Sequence, residues 1–70
     1  MSCYLRHMHW LFEELDLDYD KANRAIVDRA IRAHLGLAPD VACSDVWGSV
    51  QQLSEDERAD LVPELQRRLG

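Results

Sequence analysis

Apolar residues recur at helical intervals along most of the chain. Tyr4, Leu5, Met8, Leu11, Phe12 and Leu15 fall on one arc at about 100° per residue, which predicts a first helix over residues 3–15. The acidic stretch Asp16-Leu17-Asp18-Tyr19-Asp20 breaks the period. Asp18 is placed to cap a second helix with Asp20 in its first turn, and Gly36 after His34-Leu35 is a natural left-handed stop. Between them Ala22, Ile26, Val27, Ala30, Ile31, Ala33, His34, Leu35 and Leu37 sweep over half the helix circumference, while Lys21, Arg24, Asp28 and Arg32 share the remainder. A face that wide predicts a central helix with two or more neighbours, in which Ile26 belongs to the core.

Ala38-Pro39-Asp40 reads as a loop, and a third helix starting near Cys43 or Ser44 turns Val46, Trp47, Val50 and Leu53 inward. Ser54-Glu55-Asp56-Glu57 is a capping box, with Ser54 at the cap and Glu57 reaching back to its amide. It opens a fourth helix with the stripe Leu61, Val62, Leu65 and Leu69. Pro63 lies inside that helix and removes the hydrogen bond to the Ala59 carbonyl, so a kink or short break is expected. No alternating β-branched run and no Asn-Gly or Asp-Gly turn signals a strand. The pattern therefore predicts an all-α fold, a compact orthogonal or up-down bundle of three to four short helices, with sequence neighbours roughly antiparallel.

A length of 70 residues sets a single small helical domain over residues 1–70. Such a chain buries only about 60% of its unfolded surface, so a metal, a disulfide or a partner subunit is expected to supplement the core. With 47% hydrophobic and 30% charged residues the chain is expected to fold. No stretch approaches the roughly 18 apolar residues that cross a bilayer, and the start lacks the apolar core of a signal peptide. A cytoplasmic protein with no membrane partner follows as the expectation. Thirteen acidic residues against eight basic give a net charge of −5, which disfavours nucleic acid. The Lys21, Arg24, Arg29 and Arg32 side of helix two is accordingly read as solvated and salt-bridged.

The sharpest chemical pattern is Cys3 and His7, spaced to stack on one side of a helix, together with His34 and Cys43. Antiparallel packing of the first three helices would bring all four to one pole of the bundle, and two thiolates with two imidazoles form a zinc shell. Zinc is thus the cofactor these residues suggest, and a helix N-terminus at Cys43 would favour its thiolate. Against this, no Cys-x2-Cys knuckle is present, and Cys3 and His7 sit at the flank of helix one. The simpler reading takes precedence: two small buried cysteines and ordinary partly buried histidines. In a reducing compartment free or metal-bound thiols are expected over a Cys3–Cys43 bridge. His9 points away from the Cys3/His7 flank. Asp16, Asp18 and Asp20 imitate the opening of a calcium loop, but Lys21 stands where the turn glycine belongs and Val27 where the bidentate glutamate belongs.

No glycine-rich phosphate loop and no nucleophile elbow occurs, so catalysis is not expected. Trp10 and Trp47 are the residues best suited to anchor a partner, because indole offers large area with few rotatable bonds. The expected function is a protein-interaction or self-association module, bound to a protein partner or to its own second copy. The rival reading is a zinc-binding or thiol-redox protein built on Cys3, His7 and Cys43, with His34. A helix-turn-helix regulator using helices two and three is the third, weakened by the net charge.

Overall fold

The structure, a computed structural model, describes residues 4–69. A 3-10 turn at Leu5–His7 leads into α1 (His9–Glu14), α2 (Lys21–Leu35), α3 (Cys43–Gln51) and α4 (Glu55–Leu69), with no strand among the described residues. The fold is all-α, as the periodicity predicts. Tyr4, Leu5, Met8, Leu11 and Phe12 from the first segment, Val27 and Ile31 from α2, Val46 and Val50 from α3 and Leu61 and Leu65 from α4 are all buried in one core. The most extensive helix pairing is α2 with α4, which are not neighbours in sequence. At 1.5 Å per residue these two 15-residue helices are each about 22 Å long, close to the full width of a molecule measuring 27 × 26 × 20 Å.

The predicted first helix is divided. Met8 adopts φ −127° and ψ 33°, outside the helical region, and separates the 3-10 turn from α1. Helices this short have little stability of their own and take the shape that tertiary contacts impose. Here Tyr4 is tied to Asp28 on α2 and the His7 ring is stacked on Trp47 of α3. After α1, Asp16 takes the left-handed conformation at φ 57°. Its N–H reaches the Glu13 carbonyl at 3.1 Å and that of Leu17 reaches Phe12 at 2.9 Å, a Schellman closure in which aspartate replaces the usual glycine.

The cap of α2 is Asp20, not Asp18. The Asp20 carboxylate accepts from the Asn23 backbone amide at 2.8 Å, and the Asn23 side chain donates to the Asp18 carbonyl at 2.9 Å. Asn23 thus selects the cap by bonding to both candidates, one through each of its amides. Gly36 ends α2 at φ 72°, as expected, with Leu37 N–H on the Arg32 carbonyl at 2.8 Å. The Ser54/Glu57 capping box forms with both bonds in place, at 3.0 and 3.1 Å.

Three further expectations are corrected. The short break at Pro63 does not occur: α4 continues through it, because Pro63 and Ala59 are both exposed and the carbonyl that loses its partner can be hydrated. Ile26 is not core: it is 42% exposed, and Ala22, Ala25 and Ala33 are exposed with it. The apolar arc of α2 is wider than the surface its neighbours cover. Arg32, read as solvated, is buried.

Candidate interaction surfaces

Leu11 and Phe12 fix the orientation of α1 by entering the core, and Trp10, the residue before them, is turned outward. Its indole remains 37% exposed beside the first turns of α4, where it lines a shallow pocket of about 290 Å³ with Glu55, Arg58 and Ala59. Trp47 is placed differently. It is half-buried against the core, and its ring stacks on His7 with centroids 5.3 Å apart and planes 27° from parallel. Of the two tryptophans named by the sequence, Trp10 is exposed and Trp47 only partly so.

The remaining candidates are dispersed. His34, in the last turn of α2, faces α4: its Nδ1 lies 4.0 Å from Glu64 Oε2, a carboxylate that also pairs with Arg67. Cys43 lies on another side of α2, where Sγ is 4.0 Å from a terminal nitrogen of Arg32. Arg32 and His34 are two positions apart, so about 200° of helical rotation separates their side chains. Among the described residues no three His, Cys, Asp or Glu side chains are grouped to hold a metal ion. Cys43 is disulfide-bonded, contrary to the expectation of a free or metal-bound thiol, and a sulfur in that state is not the thiolate that zinc needs. Cys3, the other cysteine of the chain, lies outside the described residues.

Sequence reasoning missed a partly buried polar network. The Tyr4 hydroxyl donates to Asp28 Oδ1, and Arg32 Nε donates to the same oxygen at 3.0 Å. One terminal nitrogen of Arg32 donates to the carbonyls of Pro39 at 3.0 Å and Val41 at 2.6 Å. Burial, followed by the bond to Asp28 and its charge, pushes the Tyr4 phenol well above the ordinary tyrosine range. The signal available in the sequence was Asp28 and Arg32 at i and i+4, the spacing of a helical ion pair. A second cluster closes the α1–α2 connection. Tyr19 meets His9 at 4.0 Å and Phe12 edge-on at 4.9 Å, with the Arg24 guanidinium 5.0 Å from the Tyr19 ring centre.

These arrangements divide by role. The Tyr4/Asp28/Arg32 network is satisfied internally and binds the N-terminal turn, α2 and the α2–α3 loop together. The Trp10 pocket and the outer face of α2 offer apolar surface to solvent. No helix among the described residues is long and apolar enough to cross a membrane. Comparison of the chain with protein families, with curated proteins and with solved structures gives no match.

Proposed function

We propose that this protein is a binding module that docks a protein partner through Trp10 and the first turns of α4. The observation that carries the reading is the exposure of Trp10 in a chain whose Tyr4 and Phe12 are buried and whose Tyr19 and Trp47 are partly buried against the core. A rigid indole set in a shallow pocket, rimmed by Glu55 and Arg58, has the composition of an interface anchor with a polar margin. The exposed third of the indole is apolar surface left in water, and contact with a partner would recover the corresponding fraction of the burial energy of a large apolar side chain, on the order of 1 kcal/mol.

The test is selection of peptides from a displayed library on the wild-type protein, with Trp10→Ala as the counter-target. The expected result is a set of sequences that bind wild type and are lost on Trp10→Ala while its melting temperature is nearly unchanged. Peptides that bind both proteins equally would remove Trp10 from the function. Concentration-dependent sedimentation abolished by Trp10→Ala would identify the partner as a second copy.

A further inference from the structure

The outer face of α2 is a second apolar surface, remote in composition from the Trp10 pocket. Ile26, Ala30 and Ala33 on α2 and Leu69 at the end of α4 floor a groove of about 280 Å³ between the two helices, with Arg29 and Arg68 at its sides. The floor is aliphatic and includes the most exposed large hydrophobic residue described, Ile26. Both arginines are exposed, and among the described residues neither guanidinium takes part in a hydrogen bond or an ion pair. In a chain with thirteen carboxylate side chains, none of the described ones is set against these two guanidiniums.

We infer that this groove takes an acidic amphipathic helix of a partner protein. Aliphatic side chains one turn apart on that helix would lie along Ile26, Ala30 and Leu69, and Asp or Glu side chains flanking them would pair with Arg29 and Arg68. The small side chains Ala30 and Ala33 allow the two backbones to approach closely. A second copy of this chain is a poorer match by a two-fold contact, because the isologous arrangement would bring two Arg29 and two Arg68 side chains into one interface. A small carboxylated amphiphile is the poorer match, since the groove is open to solvent and encloses too little of such a ligand. The inference rests on the binding-module reading but not on Trp10.

The experiment titrates isotope-labelled full-length protein with two helix-forming peptides of about 15 residues, alike in their leucine stripe, one flanked by glutamate and the other by lysine. The expected result is that the glutamate peptide shifts amide resonances around Ile26, Ala33 and Leu69, loses affinity as salt is raised, and binds about tenfold more tightly than the lysine peptide. The double variant Arg29→Glu/Arg68→Glu, altered only at exposed positions, should keep its circular dichroism and reverse the preference. Equal binding of the two peptides, no shift in the groove, or a variant that keeps the original preference would overturn the inference. Repeating the titration on Trp10→Ala separates the two readings. Groove shifts that persist there leave the inference standing whether or not Trp10 proves to be an anchor.

Discussion

Arg32 donates to Asp28 across one turn of α2 at 3.0 Å, and the same guanidinium reaches past the end of the helix to the carbonyls of Pro39 and Val41. One side chain thereby fixes the loop that delivers α3. Arg32 is only 8% exposed, whereas the flanking Arg29 on the same helix is exposed and bonded to nothing described. Their chemistry is identical and their roles are opposite.

Replacing Arg32 with Met should cost about 2–3 kcal/mol, since it strips the bonds from two loop carbonyls and leaves Asp28 with Tyr4 alone. Arg29→Met should change stability by less than about 0.5 kcal/mol. Urea denaturation of the two variants beside wild type checks the contrast, and equal effects would show that the network is not structural.

Tyr4→Phe removes the donor to Asp28 and also changes the alkaline limb of stability. The folded-state pKa of Tyr4 is raised above the ordinary value of 10.0, so folding holds this proton more tightly than the unfolded chain does. The contribution is complete below that value and is lost as pH rises above it, because the unfolded chain ionises there and the folded one does not. Wild type should therefore lose stability above about pH 10, and Tyr4→Phe should lose less over the same interval. Denaturant midpoints measured on either side of that pH decide it.

Leu11→Ala should cost about 2–5 kcal/mol by opening a cavity in a fully buried site. Ile26→Ala, at a 42% exposed position, should cost less than about 1 kcal/mol. Chemical denaturation of both variants tests the placement of α2, because equal losses would mean that Ile26 is buried.

Ser54→Ala removes the hydroxyl that accepts from Glu57 N–H and should lower the melting temperature, whereas Glu57→Gln should alter the acid limb. Hydrogen bonding to Ser54, first of all from its backbone amide, holds Glu57 below its ordinary carboxyl value of 4.5, so that carboxylate supports the fold above this value and ceases to do so as pH falls through its lower folded value. Melting curves collected between about pH 2 and 5 should show a shallower acid loss in Glu57→Gln than in wild type.

Local signals in the sequence determined most of the secondary structure. The stop at Gly36, the capping box of Ser54 and Glu57, the start of α3 at Cys43 and the inward stripe of Leu61 and Leu65 each depend on residues within one turn of each other, and each stands where the pattern placed it. The tertiary structure decided what periodicity could not. An apolar arc records which residues are able to be buried, but the area available on neighbouring helices sets how many are, and α2 offers more than the molecule covers. Ile26 is left outside for that reason, while Arg32, on the arc read as polar, is drawn inside by carbonyls seven and nine residues further along the chain. The positions of His34 and Cys43 were equally beyond local reasoning. His34 and Arg32, the residue that Cys43 lies against, are turned apart by the helical rotation of α2, whose setting is fixed by the core residues Val27 and Ile31 and by the pairing of α2 with α4.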